Sequence, residues 1–267
     1  MVETSSDDGQ IKVEQRDNIL LIGIDRPAKL NGFSPKMIEE LGKAYVKLET
    51  DKSVFCGLLY AEGKHFSAGI DLPKFAGRMA AGQRAFPFPE GQIDPMSLRP
   101  PFRTTPLVVA VQGICFTVTI ELMLAADIVV AASDCRFAQV EVKRGIMTAG
   151  GPTFRMVERA GWGNAMRYLL TGDEFGADTA FRLGFVQEIV EPGRQFERAL
   201  EIATTIAAQA PLAVSATIAN ARLAIEEGPA AAVAEIIPTQ QRLLASEDAK
   251  EGIRSFVERR AGRYQGR

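Results

Sequence analysis

The sequence predicts an α/β fold in two parts, a strand-and-helix core over residues 1–195 and a helical region over residues 196–267. Three observations predict it. Short apolar runs of strand length recur through the first part, each followed by a Gly or polar turn and a helical pattern; that order suits several short parallel strands. After Phe196 the chain is almost entirely helix-forming. The hydrophobic share, 46% of 267 residues, is enough to bury a sizeable core.

Residues Ile11 to Arg16 and Ile19 to Asp25 read as two strands joined by a tight turn at Asp17-Asn18, and Arg26-Pro27 stops the second. Ser34 then acts as N-cap and Pro35 as the first residue of a helix whose apolar stripe is Met37, Ile38, Leu41, Tyr45 and Leu48. Val54 to Tyr60, Leu107 to Val111 and Ile128 to Ala132 are further strand-length apolar runs. The stretch between Pro73 and Pro106 is rich in Gly, Pro and Phe and too long for a plain connector, so it reads as a lid or binding segment. In the last part, breaks are expected at Pro211, Gly228-Pro229 and Pro238, and the apolar residues Leu212, Val214, Ile218, Leu223 and Ile225 need a partner to cover them.

Lys plus Arg number 31 and Asp plus Glu 33, a net charge of −2, which gives no bulk attraction to nucleic acid or to an anionic membrane. The opening MVETSSDDGQ lacks the basic and apolar regions of a signal peptide, and no apolar run reaches membrane-span length. Cys56, Cys115 and Cys135 are odd in number and set in apolar context, as expected of reduced, buried thiols in a cytoplasmic protein. A single histidine, His65, in a loop context argues against a metal site or a Ser-His-Asp triad.

Three segments carry candidate chemistry. His65 to Leu72 places small residues between a strand and a helix beginning near Asp71, where unsatisfied N–H groups can meet an anion or a polarised carbonyl. Gln112 to Leu122 ends a strand at Gly113 and starts a helix near Thr117. Glu121 lies there among Ile120, Leu122, Met123 and Leu124, a setting that desolvates a carboxylate and raises its pKa. Phe137 to Val142 places Glu141 in apolar company, followed by Gly145 and Ala149-Gly150-Gly151. Read alone, Glu141 serves a salt bridge to Lys143 or Arg144 as readily as catalysis. Two glutamates and two sources of free N–H suit chemistry on a carbonyl whose oxygen becomes negative in the transition state.

These segments resemble the crotonase (enoyl-CoA hydratase/isomerase) superfamily. Ile24-Asp25-Arg26-Pro27 through Asn31 is similar to the family's opening, Phe66 to Leu72 to its first oxyanion segment, and Gln112 to Asp127 to its second. Phe137 to Glu141 with Gly145, Gly150, Gly151 and Thr153 is similar to the segment carrying the second acid. Leu170 to Val186 and Gly252 to Arg260 complete the pattern. The resemblance implies a spiral of ββα turns with a C-terminal helical trimerisation region, in a homotrimer or dimer of trimers. It implies an oxyanion hole from the N–H groups of Ile70 and Val118, and Glu121 and Glu141 as the acid/base pair. Substrate and coenzyme A contacts would fall at Ala28, Lys29, Ala68, Asp71, Leu72, Ala149, Phe256 and Arg259, with no metal and no cofactor beyond the coenzyme A of the acyl-CoA substrate. Phe256 and Arg259, three apart, would share one face of a terminal helix.

Six residues at four places depart from the family's pattern. Thr117-Val118-Thr119 stands where the family is Gly-rich, and its side chains are expected to narrow the space over the thioester. Thr117 is expected to cap the helix carrying Glu121. Val140 replaces a Pro, Ala149 a Gly whose N–H touches the water, and Pro152 a Gly. Retention of both acids favours hydration of a trans-2-enoyl-CoA. The alternatives are double-bond isomerisation, or a CoA-thioester-binding protein with little turnover, for which the Thr-Val-Thr segment speaks.

Overall fold

The structure is a computed structural model, and it describes residues 8–83, 88 and 93–267. The strand pair expected at the start is a hairpin of β1 (Gln10–Arg16) and β2 (Ile19–Asp25), antiparallel with Arg16 opposite Ile19. β3 (Cys56–Ala61), β4 (Leu107–Val111), β6 (Ile128–Ala132) and β9 (Glu188–Val190) extend this sheet in parallel, in the order β1-β2-β3-β4-β6-β9. A smaller sheet of β5 (Ile114–Phe116), β7 (Arg136–Ala138) and β8 (Phe175–Gly176) lies in the order β5-β7-β8.

Alternation along the central strands places apolar residues on both faces, as a parallel sheet covered on both sides requires. Leu20, Ile22 and Ile24 of β2, Leu59 of β3 and Leu107, Val109 and Val111 of β4 enter the main core. That core also holds Met37, Ile38, Leu41, Tyr45 and Leu48 of α1 (Pro35–Thr50). The capping expected there is present: Ser34 Oγ accepts the Met37 N–H at 3.2 Å. Ile19, Leu21, Leu58, Val108 and Ala110 point the other way, against Ala199 and Ala203 of α7 (Gln195–Ala207). The first helix of the C-terminal region is thus the cover of the sheet's second face.

The rest of that region is α8 (Pro211–Glu227), α9 (Pro229–Leu244) and α10 (Glu247–Val257). Pro211 and Pro229 open helices, where a missing N–H costs nothing. Pro238 does not break the chain as expected but sits inside α9; packing against α8 outweighs one lost hydrogen bond.

The stretch expected to be a lid is only partly a loop. α2 (Leu72–Ala80) takes its beginning, and Phe75, Phe88, Ile93 and Met96 are buried in the core, which anchors the segment. Its residues 84–87 and 89–92 lie outside the described residues, as does most of the polar opening of the chain. All three cysteines are buried thiols, and among the described residues no single helix is long and apolar enough to cross a membrane.

Candidate active site

Two chain segments from different strand ends are drawn together by backbone pairing. Ser67 bridges Cys115, with Ser67 N donating to Ile114 O and Phe116 N to Ser67 O. Thr119 Oγ1 adds a bond to Ser67 O at 3.1 Å. Gly69 and Thr117 then touch: a Cβ on Gly69, whose φ is +111°, would lie 2.4 Å from Thr117 Oγ1. Only glycine tolerates both that backbone and that approach.

Ile70 and Val118 each follow one of these touching residues. The pairing of Phe33 with the Gly69 carbonyl and of Asp71 N with the Phe33 carbonyl turns the Ile70 N–H away from Phe33. Val118 is the first residue of α3 (Val118–Ala125), so its N–H is one of the orphan donors of a helix start. Among the described residues neither N–H has an acceptor in the chain.

Thr117 occupies the N-cap position but does not cap. Its φ of +50° and ψ of −108° lie outside the extended region that a capping side chain needs, and its hydroxyl makes no cap bond. The narrowing expected from this segment does not come from Val118 either, because that side chain is 2% exposed and packed in the main core. Thr117, half-buried against Gly69, is the residue left at the surface.

Glu121 lies one turn further along α3 and is 5% exposed, not on a solvent face. Its Oε1 accepts the Thr148 hydroxyl at 2.6 Å and the Gly150 N–H at 2.7 Å. Burial pushes its pKa up, against the pull of Thr148, the Gly150 and Ala149 N–H groups and the Arg155 guanidinium. The Ala149 N–H, expected to touch a water, lies near enough to this carboxylate to favour its charge. Gly150 is needed here because a Cβ on it would fall 2.3 Å from Glu121 Cδ.

Glu141 opens a short helical turn, Glu141–Arg144, with two residues between it and the end of β7. Among the described residues neither Lys143 nor Arg144 pairs with it, so the salt-bridge alternative is absent. Its Oε1 accepts Gln139 Nε2 at 3.0 Å, while Oε2 is buried without a partner. Burial raises its pKa to about 7, with the negative charge of Glu121 adding to the rise. Gln139 Nε2 also donates to Thr148 Oγ1 at 2.7 Å. One chain of hydrogen bonds, Glu141–Gln139–Thr148–Glu121, thereby joins the two acids. Sequence reasoning missed Gln139 and Thr148; the signal in the first was a polar residue between apolar neighbours, two positions before an acid.

The other expected contact residues divide into groups. Ala28 and Lys29 lie in an exposed helical turn, Pro27–Lys29, and the Ala68 N–H donates to Leu30 O, so these two segments are adjacent. Leu72 is exposed at the start of α2. The Asp71 carboxylate is already engaged, 2.8 Å from the buried Arg26 guanidinium. Phe256 is 85% exposed, but Arg259 does not share its helix face. α10 ends at Val257 and Arg259 turns off with φ +53°, because Arg260 folds back onto Glu251 and Glu258. His65 is a structural residue: its Nδ1 accepts the Ile114 N–H at 3.1 Å, and burial, then Lys64, lowers its pKa.

A family model described as enoyl-CoA hydratase/isomerase matches residues 14–267. The chain belongs to that family. A relative named Enoyl-CoA hydratase EchA19, from Mycobacterium tuberculosis, is 31% identical over 96% of this chain and 96% of its own length. Carnitinyl-CoA dehydratase of Proteus mirabilis is 31% identical over 94% of this chain and 97% of its own. Among solved structures, a probable enoyl-CoA hydratase/isomerase from Mycobacterium abscessus superposes with a TM-score of 0.91 at 46% identity, covering 96% of this chain and 98% of that one. The crotonase-type α/β fold expected from the motifs is therefore the fold of this chain.

Proposed function

We propose that the protein is an enoyl-CoA hydratase that adds water across the 2,3 double bond of a trans-2-enoyl-CoA. The observation that carries this reading is a pair of acids withdrawn from water, Glu121 buried and Glu141 half-buried, and joined by one chain of hydrogen bonds. Burial raises both acids, but Glu121 accepts a hydroxyl and N–H groups that pull towards its ionised form, while Glu141, with one oxygen unpartnered, holds a proton near neutral pH. Glu121 takes a proton from water as its oxygen attacks C3. The double-bond electrons move towards C2 and the thioester oxygen, where the N–H groups of Ile70 and Val118 meet the developing charge. The proton of Glu141 is then delivered to C2, giving the 3-hydroxyacyl-CoA. Solvent returns the proton balance of the two acids. Relatives named hydratase and dehydratase catalyse one type of reaction in opposite directions, in keeping with such a site.

The test is loss of the conjugated absorbance of crotonyl-CoA and of longer enoyl-CoAs. Binding of acyl-CoA without that loss would instead favour a thioester-binding protein. The reaction as proposed uses no metal and no cofactor beyond the substrate's coenzyme A, and its setting is the cytoplasm.

Assembly as a homotrimer or dimer of trimers belongs to the same proposal. Ile225, Val233, Ile237, Leu244, Ile253 and Val257 of α8–α10 are each more than half exposed, and so many large apolar side chains open to water on three successive helices call for a cover. A monomer by light scattering at micromolar concentration would remove it. We also propose that the exposed Phe256 and Arg259 meet the adenine and the 3′-phosphate of coenzyme A. Arg259→Ala is expected to weaken binding of CoA on the order of tenfold, and 3′-dephospho-CoA far less, by loss of a charge-assisted bond. Equal losses for both ligands would show that Arg259 does not read the phosphate.

A further inference from the structure

We propose that Arg155 is a positioning residue for the acid pair, its guanidinium clamping the Gly150 turn that serves Glu121 to the Ser97 turn of the preceding loop. Arg155 lies on α4 (Pro152–Ala160). Its Nη1 donates to Gly150 O at 3.1 Å and its Nη2 to Ser97 O at 2.9 Å. Gly150 is therefore held from both ends, by its N–H on Glu121 and by its carbonyl on Arg155.

The neighbouring glycine gives the guanidinium its room. A Cβ on Gly151 would lie 2.6 Å from Nη1, so the fork rests directly on the turn. The Phe154 ring centroid is 5.0 Å from the guanidinium carbon. On the other side, Ser97 has φ +48° and is set by Asp94, whose carbonyl accepts Ser97 N and whose carboxylate accepts Met96 N. That turn is thus built, and it presents its carbonyl to Arg155.

Among the described residues no carboxylate lies within ion-pair distance of Arg155. A half-buried cation held only by two carbonyls is costly for stability alone. The charged groups around it are Arg159 and Arg222, which oppose it, and Asp94 and Glu158, which favour it. Glu121 in turn faces Thr148, the Ala149 and Gly150 N–H groups, Arg155 and the second acid, Glu141. Arg155 is the cation in that set, and it reaches Glu121 through the turn it holds. A lysine in its place can supply charge but cannot bridge two carbonyls in fixed planar geometry.

The kinetic arm of the test rests on the hydratase reading; a second arm does not. Arg155→Met and Arg155→Lys are compared with the parent in crotonyl-CoA hydration. The Glu121 carboxyl is followed by isotope-edited NMR of glutamate side-chain carbons, its signal assigned by its loss in Glu121→Gln. Arg155→Met is expected to lower kcat about tenfold or more with little change in KM, and to move the Glu121 titration to higher pH. Arg155→Lys is expected to return the titration towards the parent while kcat stays at least about threefold down. Parent-like kcat in both variants, or an unmoved Glu121 titration in Arg155→Met, would overturn the proposal. If Arg155→Met does not fold, kcat of Arg155→Lys decides on the same threefold line. If the parent hydrates no enoyl-CoA, the hydratase reading fails, and the Glu121 titration alone decides for or against Arg155.

Discussion

Replacing Glu141 by glutamine is expected to lower kcat for enoyl-CoA hydration about 10²–10⁴-fold while making the protein more stable at alkaline pH. The amide can still accept Gln139 Nε2 through its oxygen, so the local bonding survives. What is lost is the transferable proton. In the parent, the rate should fall as pH rises through about 7, where Glu141 gives up its proton. It should also fall on the acid side as Glu121 takes one up, and the variant should lose the alkaline limb.

The stability change follows from the same shift. The folded pKa of Glu141, about 7, lies above its ordinary 4.5, so the folded chain binds this proton more tightly than the unfolded chain does. The resulting destabilisation sets in as pH rises from 4.5 and is complete above about 7. An uncharged amide removes it, a gain of roughly 1–3 kcal/mol. Urea midpoints compared at about pH 5 and about pH 8 read the difference, which should be small at the lower value and near its full size at the higher. Activity within tenfold of the parent would rule out Glu141 as the acid.

Removing the Val118 N–H is the second large effect. Proline is accepted at the first position of a helix, which is where Val118 stands in α3. It also restricts the residue before it, and Thr117 is already at φ +50°. The experiment therefore uses Thr117→Gly as the parent background. That change alone should raise the melting temperature, because a β-branched residue at such a φ stores about 1–3 kcal/mol. Adding Val118→Pro should then cost on the order of 10²–10³ in rate, the usual effect of one lost oxyanion donor. Val118→Ala in the same background keeps the N–H and shortens a core side chain, so it separates packing from donation. If the proline variant folds and turns over at the background rate, the Val118 N–H does not hold the oxyanion.

Much of the fold could be read because its main strands carry apolar runs bounded by turns. β2, β4 and β6 lie where those runs lie, and Ser34-Pro35 marks the start of α1. β5, β7, β8 and β9 were not legible. Each is two or three residues long, and their pairing partners, not their own patterns, make them strands. Glu121 and Glu141 stood out because a carboxylate among apolar residues is unusual. Gln139, Thr148 and Arg155 did not, since each also needs a partner from another segment, Thr148, Glu121 and Ser97 in turn. The terminal Phe256 and Arg259 were misjudged as one helix face because the Arg260–Glu251 contact that ends α10 cannot be seen in spacing alone.

The seat of Glu121 depends on an atom that is missing, the β-carbon of Gly150. For protein design this has a concrete meaning. Grafting the two glutamates onto another scaffold would transfer their charge but not their placement. The transplantable unit is the bare turn at Ala149–Gly151 together with Thr148 and Gln139, and a graft that places any side chain on its middle residue has no room for the acid.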